Sequence, residues 1–177
     1  GNKKLDTRSD GINVTGDIHP TGHIYMDSGY GVAFDPYGGS GVNLLDDYEE
    51  GTFTPTVYST SQGNFTHAAQ VGNYTKVGRQ VHVTGFVNAT VGGTETGSVR
   101  ISGFPFTSLN NSGNYGQLHT TDYGNFDSYT GTVGGYLNKG DTIVLLMHVY
   151  EGNSATIATS DWGTNTYIYF NMSYIAA

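Results

Sequence analysis

The sequence has no cysteine in its 177 residues, so a disulfide framework, a thiolate metal site and a thiol nucleophile are all excluded. Lysine and arginine together number only seven against fifteen acidic residues, a formal net charge of −8. Phosphate backbones are held by clustered cations, and so few exclude nucleic acid as a partner. No run reaches the roughly 18 apolar residues of a membrane helix. The opening Gly1-Asn2-Lys3-Lys4-Leu5-Asp6 lacks the apolar centre of a signal peptide and reads as a cut inside a longer chain. Alanine, leucine, glutamate and lysine, which fill helix surfaces, are scarce, so little helix is expected.

Glycine and aromatic residues stand in their place, with 27 Gly, 14 Tyr and 8 Phe. Glycine supplies the positive φ of tight turns, while aromatic and β-branched side chains suit a pleated, half-buried surface. The composition points to an all-β protein.

Residues 1–43 carry their apolar side chains in alternating pairs or triplets, Ile12, Val14 and Ile18, then Ile24 and Met26, then Val32 and Phe34, separated by Gly, Asp and Pro. Each set reads as a very short strand. Strands this short cannot enclose a core alone, so further copies of the chain are expected to complete the burial in a threefold stem of interleaved chains. A flexible linker is the alternative. Residues 44–51, Leu-Leu-Asp-Asp-Tyr-Glu-Glu-Gly, form an acidic joint. Leu44, Leu45 and Tyr48 there fit one helical turn ending at Gly51.

Residues 52–177 have the period of a sandwich. Val77, Val81, Val83, Val87 and Ala89 share one face of a long strand. Ile168, Phe170, Met172 and Tyr174 share a face at the C-terminus. In the strand 142–150, Ile143, Leu145, Met147 and Val149 line one side and Val144 and Leu146 the other, a two-sided pattern that points to a sheet face used between subunits. Residues 107–130, rich in Ser, Asn, Gly, Thr and Tyr, read as long exposed loops around a strand near 116–121. Some seven or eight strands follow residue 51. The fold class expected is all-β, a short intertwined trimeric β stem followed by a jelly-roll-like antiparallel β-sandwich head.

Two blocks, Asn43 to Val57 (NLLDDYEEGTFTPTV) and Gly72 to Val81 (GNYTKVGRQV), resemble tail-fibre and other virion structural proteins of marine and cyanobacterial phages. The Gly-rich strands of residues 10–35 look like the shafts that precede fibre tips. The resemblance implies a homotrimer at the distal end of a fibre, the rest of which lies N-terminal to residue 1. It also implies a place in the virion, and loops that attach it to a host surface glycan or other outer-membrane component. It carries no catalytic residue onto this chain. A purely structural trimerisation cap or decoration is the alternative function.

Sugars offer C–H faces to aromatic rings and hydroxyls to Asp, Asn and Gln. The candidate ligand-binding residues are therefore Tyr115, Asp122, Tyr123, Phe126, Asp127 and Tyr129 in the loops, with Asp161 and Trp162 in a second cluster. The competing reading packs these rings beneath their own loops. His19 and His23, separated by Pro20-Thr21-Gly22, have no recognised metal-site spacing, and no cofactor is expected. Polysaccharide hydrolysis would need two carboxylates about 5–10 Å apart. Asp122 with Asp127, or Asp161 with Glu151, would be so placed only by accident, and no nucleophile elbow occurs, so an enzyme is not expected. Arg79 is a candidate partner for Asp46, Asp47, Glu49 and Glu50.

Overall fold

A computed structural model describes residues 5–8, 11–14, 16–27, 32–33, 44–45, 47–61, 65–93, 96–127 and 131–177. The chain divides into two compact units, Gly1–Leu44 and Leu45–Ala177.

In the first unit, β1 (Leu5–Arg8) and β2 (Gly11–Val14) form an antiparallel hairpin with Leu5 opposite Val14. Residues 23–27 form no strand, although Ile24 and Met26 were expected to alternate in one. An extended segment becomes a strand only when a neighbour takes up its N–H and C=O groups, and this one has none among the described residues. The next strand, β3, is Val32–Ala33; Phe34 lies outside the described residues. Ile12, Ile18, Ile24, Tyr25, Met26 and Val32 are all exposed, Tyr25 to 86%.

The strand β4 (Leu44–Leu45) falls at the boundary between the units, and β5 (Tyr48–Phe53) follows. The segment expected to make a helical turn is thus extended. Gly51 lies in mid-strand opposite Tyr74, whose ring covers it so closely that a Cβ would meet the hydroxyl at 2.8 Å. The chain continues as β6 (Thr56–Ser59), β7 (Thr66–Val77), β8 (Gln80–Thr90), β9 (Val99–Ser102) and β10 (Gly116–Phe126). It ends with β11 (Thr132–Leu137), β12 (Val144–Tyr150), β13 (Asn153–Thr156) and β14 (Trp162–Ile175). Among the described residues the one helical element is a 3-10 turn at Thr159–Asp161.

The protein is all-β. Its larger unit is built on one antiparallel sheet in the order β5-β7-β8-β14-β10-β11-β12-β9-β6, with β13 beside β12. The two edge strands, β5 and β6, are consecutive in sequence and separated only by Thr54 and Pro55. A link that short requires the edges to meet, so the sheet curls into a half-barrel. The two layers expected of a sandwich are the two halves of this one sheet.

Side chains close the seam. Gln70 Nε2 donates to Pro55 O at 2.9 Å and to Thr56 Oγ1 at 3.1 Å, and the Val57 N–H donates to His67 Nε2 at 3.0 Å. Gly103, with φ +91°, lets the chain pass so near Thr54 that a Cβ would sit 2.2 Å from its carbonyl oxygen.

Inside the curl lie Val57, Val81, Val83, Val87, Ile101, Leu137, Val144, Leu146, Ile168 and Met172, all buried. Each aliphatic side chain of this kind contributes about 1.5–3 kcal/mol by leaving water. Phe104 packs on Phe53 and Phe170, and Phe106 meets Tyr74 edge-on at 5.2 Å. The buried Tyr174 donates its hydroxyl to Phe106 O at 3.0 Å.

The register bears on three further expectations. Val77 does not continue into the strand of Val81, because Gly78 and Arg79 are a two-residue hairpin turn that pairs Val77 with Gln80. Val77 is exposed while Val81, Val83, Val87 and Ala89 are buried. In β12 the core side is Val144 and Leu146; Leu145 and Met147 are half-buried on the opposite face and Val149 is exposed. The strand expected near 116–121 runs on through 122–126, expected as loop, and forms the central strand β10, paired on both sides by β11 and β14.

The acidic joint is engaged rather than simply solvated. Lys76, not Arg79, pairs with Asp47, and its ammonium lies 5.5 Å from the centre of the Phe106 ring. Arg79 Nε donates to Ala176 O at 3.0 Å. Tyr74 donates to Glu49 at 2.5 Å and Tyr48 to Glu50 at 2.9 Å. Each hydroxyl's pKa is raised, first by that hydrogen bond to a carboxylate. Asp46 lies outside the described residues.

Candidate functional site

Of the residues expected to bind ligand, Asp122, Tyr123 and Phe126 lie on β10 and Trp162 on β14, whereas Tyr115 and Asp127 lie outside the strands. Trp162, at the start of β14, is 1% exposed and donates Nε1–H to Ala89 O at 2.9 Å. It belongs to the core and offers no face to a ligand. Phe126 packs on it at 5.3 Å between ring centres, Phe65 meets it edge-on at 5.8 Å, and Tyr123 meets Phe126 at 6.0 Å. Tyr123 is half-buried and donates to Gly131 O at 2.6 Å. This aromatic string is interior packing.

Asp161 Oδ2 accepts the Ala158 N–H at 2.9 Å and so holds the 3-10 turn. Asp127 is exposed, with its carboxylate beside Gly163, where a Cβ would stand 2.4 Å from Oδ1. Tyr115 is 49% exposed and rests edge-on against Tyr136. Tyr129 lies outside the described residues. His19 Nε2 is 3.7 Å from Asp17, and the His23 ring stacks on Tyr25.

Of the expected residues, Asp122 leads to a different place. It is exposed on β10 and in register with Tyr169 on β14, which pairs with Phe86 on β8, which pairs with Val71 on β7. Residues directly opposite one another share a face, so four strands present Val71, Phe86, Tyr169 and Asp122 in one row on the outside of the sheet. Phe86 and Tyr169 lie 4.3 Å apart at 30°, while Val71 is 52% and Tyr169 44% exposed.

The next row along the strands is Asn73, Thr84, Asn171 and His119. Beyond it His82 Nδ1 lies 3.0 Å from Ser173 Oγ. Between the first two rows is an open depression of 300 Å³, lined by Phe86, Tyr169, Asn73, Thr84, Asn171 and Thr121 among others and floored at Gly85.

Its geometry follows from the core beneath. Phe170, one residue from Tyr169, points inward and lies across Gly85, its cross-strand partner, so that a Cβ there would meet the ring at 2.2 Å. The alternation of β14 then turns Tyr169 and Asn171 outward. The face of Ile168, Phe170, Met172 and Tyr174 is legible in the sequence, but not which residues lie across the sheet from Tyr169 and Asn171 on the opposite face.

A second hollow, of 540 Å³, lies farther across the outside of the sheet. Gly134 supplies its floor, and Tyr136, Met147, Val149, His119 and Gln117 surround it.

No family model matches the sequence, and no curated protein matches it. Among solved structures, the Dettilon tailspike protein (gp208) is similar in fold, with a TM-score of 0.60 over 73% of this chain at 14% sequence identity. The match spans 24% of that tailspike chain, so this chain corresponds to a small part of its length.

Proposed function

We propose that this chain is part of a phage tail fibre or tailspike assembly, and that its β head attaches the virion to a polysaccharide of the host surface as a homotrimer. The observation that carries the reading is the set of apolar residues between Ile12 and Val32 that this chain leaves exposed. Side chains of this kind are normally covered, and a stem in which three chains share them covers them. The fold likeness to a tailspike supports the same reading. The outer side of β12, with Leu145, Met147 and Val149, is a further contact surface in such an assembly. Three heads on one fibre raise avidity without tight single sites. The reading assigns no catalytic step.

A structural cap without host contact is the second reading, favoured by the burial of Trp162 and the packing of Tyr123 and Phe126. Labelled chain applied to a panel of bacterial and cyanobacterial cells separates the two. Adsorption that is abolished by periodate, which cleaves vicinal diols, supports glycan attachment. Adsorption abolished instead by protease contradicts it, and adsorption to no cell in the panel favours the cap.

A further inference from the structure

We infer that the depression between β7, β8, β14 and β10 is a saccharide site, and that its ligand is uncharged. The inference rests on the attachment reading above and moves the contact from the loops to the sheet face. Three observations carry it. The Phe86 and Tyr169 rings, 4.3 Å apart, form one apolar edge, with Val71 exposed beside them. Such a surface takes the C–H face of a hexose ring. Opposite it, Asn73, Asn171, Thr84 and Thr121 line the same hollow, and between them supply the donors and acceptors that sugar hydroxyls need.

The third observation concerns charge. Among the described residues no lysine, arginine, aspartate or glutamate lines the depression, and the nearest charged side chain in register is Asp122, in a chain of net charge −8. An anionic sugar would find no cation and would face repulsion, whereas a neutral hexose or N-acetylhexosamine meets no penalty. Strand positions also hold a site more rigidly than loops do.

An array of neutral, amine-bearing and anionic oligosaccharides probed with the intact chain tests this, alongside Tyr169→Thr, Tyr169→Phe, Asn171→Ser and Asn73→Ser. Neutral saccharides should bind the parent chain. Tyr169→Thr should weaken that binding by about tenfold or more, Tyr169→Phe should keep most of it, and the two asparagine variants should each lower it. The asparagine variants decide the question if Tyr169→Thr does not fold. Saccharide binding unchanged in all variants, or confined to anionic sugars, overturns the site while leaving glycan attachment intact. Loss of oligomeric mass in Tyr169→Thr makes the face a contact between copies and also overturns it. Absence of any saccharide binding by a chain that still adsorbs to cells overturns the attachment reading itself.

Discussion

Trp162 shows how one residue type can carry opposite meanings. A tryptophan beside Asp161 and Asn165 has the look of a binding residue, yet its indole is enclosed by Phe65 and Phe126 and its one polar atom is spent on Ala89. Composition could not separate these cases, because burial depends on which strand lies across from it. Replacement by alanine should cost about 3–5 kcal/mol, measured by urea unfolding; a loss below about 1 kcal/mol would contradict its place in the core. Tyr174 makes a second claim at this scale. Burial pushes its pKa up to about 12, and its hydroxyl donates to Phe106 O. The unfolded chain releases that proton near 10 while the folded protein keeps it. Stability from this group is therefore full below pH 10 and declines as pH rises towards 12, and Tyr174→Phe should flatten that part of the stability profile.

At the scale of elements, the seam between β6 and β7 replaces a backbone ladder with side chains. His67 Nε2 accepts the Val57 N–H, which needs an unprotonated nitrogen, and its pKa is lowered, chiefly by burial. Below the ordinary value of 6.5 the unfolded chain takes up a proton that the folded ring refuses. Stability should therefore be unaffected by this group above that pH and fall as pH drops below it. His67→Gln should reduce the slope in thermal unfolding measured between pH 5 and 7; an unchanged slope would mean that the seam does not depend on the neutral ring.

Elements also show what the sequence could reveal. The faces of β14 and β8 were legible because strict alternation of Ile168, Phe170, Met172 and Tyr174, and of Val81, Val83 and Val87, has one physical reading. The turn at Gly78-Arg79 was not. A two-residue hairpin pairs residues three apart, so it reverses which parity faces inward, and Val77 continued a pattern to which it does not belong. β10 was legible only over 116–121; its continuation over 122–126 was not, because register shifts between Thr120 and Asp122 and between Gly124 and Phe126 break the alternation there. The site face was illegible until the register was known, because Val71, Phe86 and Tyr169 lie on three strands whose adjacency no local pattern encodes.

At the scale of the whole molecule, two units with unequal means of stability are joined in one chain. Residues 45–177 enclose their own core, whereas the described part of residues 1–44 exposes its apolar side chains. Removing residues 1–43 should leave a head with a β-type circular dichroism spectrum and weaker self-association; an unfolded fragment would contradict the independence of the head. The most direct test of the account is the molar mass of the intact chain in solution by light scattering. A mass three times the 18.9 kDa of one chain is the expected result, because the proposed stem covers Ile12, Ile18, Ile24 and Val32 with neighbouring copies. A stable monomer at all concentrations would contradict it and leave those residues as a linker before a solitary β head.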